Sequence, residues 1–260
     1  MTEIRRLENS SNAIFIEMMK PLFSIIIPAY NEENWIDGTL STVKKAMGTL
    51  NVFGEIIVVD NNSTDNTALI ARQHNAHVVF EPINQISRAR NAGARVAQGR
   101  FFIFLDADTS LSPRLLQTAL RNLSHNKCCG GGCVVKMDAP MEHIARNVLK
   151  LWNWFSLTFG FAAGCFIYCL KEGFEAVGGF SEKVYASEEI WFSRKIQSWG
   201  KKRDMDFCII ETPPIVTSIR KLKWFSPFRL VTPVLILTMF PFLLRFRSFC
   251  SHWYYRPKNK

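Results

Sequence analysis

The sequence predicts an α/β protein, a mostly parallel sheet flanked by helices, followed by a basic, apolar C-terminal tail. Three observations predict it. Short apolar runs alternate with stretches of helical periodicity through the first half of the 260 residues, as βαβ units do. Each run is too short to span a membrane and is apolar on both faces, as expected of strands sandwiched between helices. Three of the runs end in polar or acidic residues, at the edge of an open sheet where ligands bind.

The first strand is Phe23-Ser-Ile-Ile-Ile-Pro28, and Ile36, Leu40, Val43 and Met47 then recur at helical spacing. The second strand, Glu55-Ile-Ile-Val-Val-Asp60, leads into a polar turn in which Ser63 or Thr64 can cap the next helix. His77–Phe80 is the third strand, and a helix from Ile86 to Gln98 ends at Gly99. The fourth strand, Phe101–Leu105, stops at Asp106, and Ser112-Pro113 opens a helix carrying Leu115, Leu116, Ala119, Leu120 and Leu123. The second half is less regular. Leu151 to Leu170 holds no charged residue and is long enough to span a membrane. A span there would put Asp106 and Asp108 on the opposite side from Glu188-Glu189, so a buried helix followed by a strand from about Gly164 to Leu170 is expected instead.

The net charge of +10 is unevenly distributed. Beyond Glu211 there is no acidic residue, whereas Arg220, Lys221, Lys223, Arg229, Arg245, Arg247, Arg256, Lys258 and Lys260 are basic. Taking those nine from 32 leaves 23 basic against 22 acidic residues, a nearly neutral body. The charge therefore belongs to the tail and gives no reason to expect a nucleic-acid partner. Val231–Leu244 would reach only about 21 Å as a helix, short of the roughly 30 Å hydrocarbon core, and Pro233 and Pro241 would kink it. It is expected either to lie on an anionic membrane surface or to pack on the main domain. Seven cysteines, with no C-x-x-C unit and no apolar N-terminal leader, suggest reduced thiols in the cytoplasm. The expected segments are an N-terminal extension (1–21), a main domain (22–225) with halves meeting near residue 136, and the tail (226–260).

Asp106-Ala107-Asp108 puts two carboxylates one residue apart at a strand exit. They can both turn into one cleft, where Mg²⁺ or Mn²⁺ takes hard oxygen ligands from one or two carboxylates and from phosphates. Alone, such a triplet is more often a solvated turn; here it follows a five-residue apolar strand.

The motifs around it are more specific. Ser24-Ile-Ile-Ile-Pro-Ala-Tyr-Asn-Glu-Glu33, Ile56-Ile-Val-Val-Asp-Asn-Asn-Ser-Thr-Asp-Asn-Thr67, Ala89-Arg-Asn-Ala-Gly93, Phe104-Leu-Asp-Ala-Asp108 and Gly178-Gly-Phe180 before Glu188-Glu189 resemble, in order, the family-2 glycosyltransferases of GT-A fold, a Rossmann-related architecture. The resemblance implies an inverting transferase that moves a sugar from a nucleotide-diphosphate donor, UDP-linked by family precedent, to an acceptor hydroxyl or a lipid phosphate. It places Ala29, Tyr30 and Glu32 against the base and ribose and gives Asp60 a hydrogen bond from the base. Asp106 would face the ribose or the metal, and Asp108 would bind the metal. Arg90 would lie near the diphosphate or else be a helix-surface arginine. The family's late acidic pair, commonly Glu-Asp, supplies the base from its second position. Here the pair is Glu188-Glu189, which makes Glu189 the candidate base with Glu188 in contention.

Two other enzyme classes are disfavoured. A sugar-1-phosphate nucleotidyltransferase should carry a glycine-rich basic loop after the first strand, where this chain has Pro28-Ala-Tyr-Asn. A dinucleotide dehydrogenase should carry G-x-G-x-x-G there. A catalytically silent membrane scaffold of the same fold stays open, with the retained acids against it.

Overall fold

The computed structural model describes residues 20–220 and 241–250. In the first half, β1 (Phe23–Ala29), β2 (Gly54–Asp60), β3 (His77–Phe80) and β4 (Phe101–Leu105) alternate with α1 (Ile36–Met47), α2 (Thr67–Gln73) and α3 (Ile86–Val96). The two-residue β5 (Thr109–Ser110) leads into α4 (Pro113–Ser124), where Ser112 Oγ accepts from Leu115 N at 3.2 Å and Pro113 opens the first turn. The second half contributes β6 (Cys128–Met137), α5 (His143–Phe159), β7 (Phe166–Leu170), α6 (Lys171–Ala176), α7 (Glu188–Lys201) and β8 (Asp206–Thr217). A 3-10 turn follows at Pro241–Arg245.

All eight strands form one sheet in the order β3-β2-β1-β4-β7-β6-β8-β5. β1, β2, β3 and β4 run parallel, as the βαβ pattern requires. β7 is antiparallel to both neighbours, β4 and β6, while β6 and β8 are parallel. The reversal of β7 matters for the site, because it brings the segment entering β7 to the carboxyl end of β4. β1 and β4 are buried on both faces, which is why their sequences show apolar runs and not alternation.

Behind the site, Phe102, Phe104, Phe174, Phe180 and Phe192 form a ring cluster with centroid separations of 4.2 to 6.5 Å. Phe180 enters it because Gly178 and Gly179 adopt φ of +73° and +65°, a backbone that residues with a Cβ rarely accept.

Several expectations are corrected. The helix placed near Leu151 is not buried: of α5 only Ser156 is buried, while Ile144, Val148, Leu151, Trp154 and Phe159 are exposed. The uncharged stretch misled because α5 begins earlier, at His143, and takes up its charges Arg146 and Lys150 there. Neither Ser63 nor Thr64 caps α2. Its N-cap is Asn66, and Asp65 Oδ1 accepts from Thr67 N at 3.0 Å. β6 and β8 have no counterpart in the sequence reading. The Gly130-Gly-Gly132 run is an interior piece of β6: a Cβ on Gly131 would lie 1.9 Å from Cys208 O and 2.5 Å from Tyr168 Oη. The cysteines of the described residues are free thiols. No described helix is long and apolar enough to cross a membrane. The expected tail segments 226–240 and 251–260, and nearly all of the N-terminal extension, lie outside the described residues.

Candidate donor-binding and catalytic site

The carboxyl ends of β1, β2 and β4 open onto a cavity of about 260 Å³ lined by Ala29, Tyr30, Glu32, Asn61, Arg90, Asp106, Asp108, Gly164, Cys165, Glu188 and Glu189, among others.

Its floor is held by cross-links between loops. After β1, Asn31 N donates to Ser63 Oγ (3.1 Å) and Glu32 N to Thr67 Oγ1 (2.8 Å), so the first loop is stitched to the second. Thr39 Oγ1 donates to Ala107 O (2.8 Å) and accepts from Thr109 N (3.2 Å), which fixes the turn between the two aspartates. Asp106 N donates to Cys165 O at 3.2 Å, tying that turn to the segment that enters β7.

Two buried arginines organise the acids. Arg90, 1% exposed, is one of the largest fully buried side chains. Nη1 meets Glu188 Oε1 at 2.6 Å, and Nη2 meets Gly164 O at 2.8 Å and Asp106 Oδ1 at 3.4 Å. The guanidinium lies 5.1 Å from the Phe180 ring centroid. Burial disfavours its charge, but Glu188, Asp106 and Glu189 outweigh that penalty and raise its pKa. The helix-surface alternative for Arg90 is thus overturned. Arg220, counted with the tail charges in the sequence, is likewise buried here. Its Nε and Nη2 lie 3.0 and 2.9 Å from Asp108 Oδ2, Nη2 reaches Glu32 at 2.6 and 2.5 Å, and the group stacks 5.2 Å from the Trp35 ring.

The paired glutamates differ in environment. Glu188 is spent on Arg90. Burial, reinforced by the adjacent charge of Glu188, pushes the Glu189 carboxyl up to about 8. A carboxylate with that pKa is a strong base poised near neutral pH.

Of the nine residues read from the sequence, eight meet in this cavity: Ala29, Tyr30, Glu32, Arg90, Asp106, Asp108, Glu188 and Glu189. Asp60 stands at the end of β2, where its Oδ1 accepts from Ser63 N at 2.9 Å, and the neighbouring Asn61 takes the lining position. Asn61 also holds the following loop, donating to Glu81 O and Ile83 O and accepting from Gln85 N. Sequence reasoning missed Asn61, Gly164 and Arg220. Adjacency to Asp60 could have flagged Asn61, but no local signal marks an arginine after a terminal strand as a partner of residues in the first half.

The acids also fit a divalent cation. Asp106 and Asp108 offer hard oxygen donors at one wall, and the lining carries five carboxyl groups against the single guanidinium of Arg90, with Arg220 paired to Asp108 and Glu32. That negative surplus suits a cation that completes its shell with phosphate and water oxygens. No three His, Cys, Asp or Glu side chains among the described residues are placed to hold a metal alone.

The parallel strands open their carboxyl ends onto an acid-lined cavity beside a reversed strand, an arrangement that the GT-A glycosyltransferase fold has. The chain matches the profile described as glycosyl transferase family 2 over residues 24–176, and it belongs to that family. Among curated relatives, the validoxylamine A glucosyltransferase of Streptomyces hygroscopicus subsp. jinggangensis is 33% identical over 106 residues, 38% of this chain and 25% of that protein. A putative teichuronic acid biosynthesis glycosyltransferase of Bacillus subtilis is 34% identical over 115 residues, 42% of this chain and 44% of that protein. The aligned part thus spans less than half the length of either relative. Among solved structures, a mannosyltransferase of Pyrobaculum calidifontis in complex with GDP-Man and Mn²⁺ superposes with a TM-score of 0.60 at 23% identity, covering 77% of this chain and 57% of that one. Glucosyl-3-phosphoglycerate synthase from Mycobacterium tuberculosis, in complex with Mn²⁺, UDP and glucosyl-3-phosphoglycerate, gives 0.58 at 15% identity over 90% and 81%. At these identities the likeness establishes the fold alone.

Proposed function

We propose that this protein is an inverting, metal-assisted glycosyltransferase that moves a sugar from a nucleotide-diphosphate donor to an acceptor hydroxyl or lipid phosphate. The observation that carries it is the convergence, in one cavity, of the Asp106/Asp108 turn with Glu188 and Glu189 from the other half of the chain. Ala29, Tyr30 and Glu32 are suited to hold the nucleoside, with Asp60 and Asn61 at its far side. Arg90 positions Glu188 and Asp106. Glu189, left as the basic carboxylate, takes the proton of the acceptor hydroxyl as its oxygen attacks the anomeric carbon from the face opposite the diphosphate, through an oxocarbenium-like transition state. Direct displacement inverts that centre. A Mg²⁺ or Mn²⁺ ion held by Asp108, with Asp106 beside it, would supply Lewis-acid stabilisation of charge on the departing diphosphate.

The basic C-terminal segment suggests a peripheral site of action on the cytoplasmic face of a membrane and raises the case for a lipid-linked acceptor. Known complexes of similarly folded proteins contain both GDP-Man and UDP, so the donor test spans both bases. Thermal melts with a panel of UDP- and GDP-sugars and Mn²⁺ should show one donor raising the melting temperature, because a ligand that binds only the folded state stabilises it. If no nucleotide sugar shifts the melt and none is hydrolysed or transferred, the reading is wrong.

A further inference from the structure

The outer side of α5 is an apolar surface that the sugar-transfer reading does not use. Asn153 fixes the helix to the domain, donating to Val135 O at 2.9 Å and accepting from Val135 N at 3.0 Å, and Ser156 Oγ donates to Phe161 O at 2.7 Å. With that side packed, the 3.6-residue repeat turns Ile144, Val148, Leu151 and Phe159 outward as one stripe, with half-buried Phe155 between them stacked on Phe161 and Trp154 at its margin. Leu151 is 63% exposed and Ile144 and Trp154 58% each. Single exposed apolar residues are ordinary, whereas a continuous stripe of this kind marks an interaction surface.

We infer that this face of α5 docks on an anionic lipid bilayer. The helix is about 25 Å long at 1.5 Å per residue, and it carries Arg146 and Lys150 on its remaining exposed side with no acidic residue from His143 to Phe159. An apolar stripe, cations on the opposite exposed side and an exposed tryptophan are the combination that lies in the headgroup region. The chain beyond Arg220, with eight basic residues and no acidic one, has the same sign. Docking here also sets the cavity close to the headgroups: Gly160 caps α5, and Gly164 in the cavity wall is four residues on, at most about 14 Å away.

The test uses the full-length chain in flotation with phosphatidylcholine vesicles, with and without phosphatidylglycerol. Leu151→Glu combined with Trp154→Glu should lower partition onto the anionic vesicles about tenfold or more. Arg146→Ser with Lys150→Ser should remove much of the preference for them over phosphatidylcholine. Both variants should melt as the parent does, since the altered side chains are exposed. Undiminished binding by the acidic variant overturns the inference and places attachment elsewhere, as does a parent chain that binds neither vesicle. So does a parent that sediments as a dimer and is made monomeric by Leu151→Glu, which assigns the face to a second copy. Nucleotide-sugar stabilisation of the same variants should stay at the parental level, so failure of the sugar-transfer reading is read separately from failure of the docking reading.

Discussion

Arg220 grips Asp108 through two nitrogens, 3.0 and 2.9 Å from the same carboxylate oxygen, and with Nη2 holds Glu32 as well. A cation from beyond the last strand thus neutralises two acids of the first half. Removing it leaves buried charges unpaired, at a cost of roughly 3–5 kcal/mol. We expect Arg220→Met to lower the melting temperature by on the order of 10 °C. Arg220→Lys should recover only part of that loss, because an ammonium lacks the planar fork that spans both acids. Calorimetry of the three proteins decides it.

Asp108→Asn should abolish the extra stabilisation that Mn²⁺ gives in the presence of a nucleotide sugar and slow transfer by about 10²-fold or more. Chelation of the parent protein should mimic both effects. Full-rate, metal-independent transfer by the variant would remove Asp108 from the metal site.

Glu189 gives a pH signature. Its carboxyl, raised to about 8 in the fold from an ordinary 4.5, is proton-bound in the native state over a range where the unfolded chain has released the proton. Its contribution to stability is therefore complete below about 4.5 and is lost as pH climbs through 8. Glu189→Gln should flatten the fall in melting temperature between about pH 4.5 and pH 8. The kcat/KM of the parent should rise with pH to an apparent pKa of about 8, and the Gln variant should show almost no transfer. A parental profile flat across that range would transfer the base role to another group.

Gly131→Ala should be severely destabilising, because the added methyl would meet a strand carbonyl at 1.9 Å and the Tyr168 hydroxyl at 2.5 Å. Separating β6 from β8 to relieve the clash costs about 1–3 kcal/mol or more. Chemical denaturation should show a lower midpoint with an unchanged slope.

The first half was legible because βαβ units are local: Phe23–Ala29 and Phe101–Leu105 are apolar on both faces and end at their polar residues. The second half was harder to read because its order comes from distant pairings. β6 is glycine- and cysteine-rich, and it is a strand because β7 and β8 flank it. α5 carries an exposed apolar stripe that read as core. In the site, motif residues stood out by type and spacing, whereas Arg220 showed only as one more positive charge near others. Its role depends on where β8 ends, and sequence periodicity does not report that.

The pairing of Arg90 with Glu188 spans 98 positions, which bears on how the protein is made. During synthesis Arg90 leaves the ribosome long before its counter-ion does. Until α7 emerges, closing the fold around that guanidinium would bury a charge lacking its closest partner, a costly state. The nascent first half is therefore expected to keep this corner hydrated and open, and to seal it only when Glu188 arrives. Ribosome-bound chains arrested before residue 188 should leave the Arg90 region open to limited proteolysis, and chains arrested well after it should protect that region.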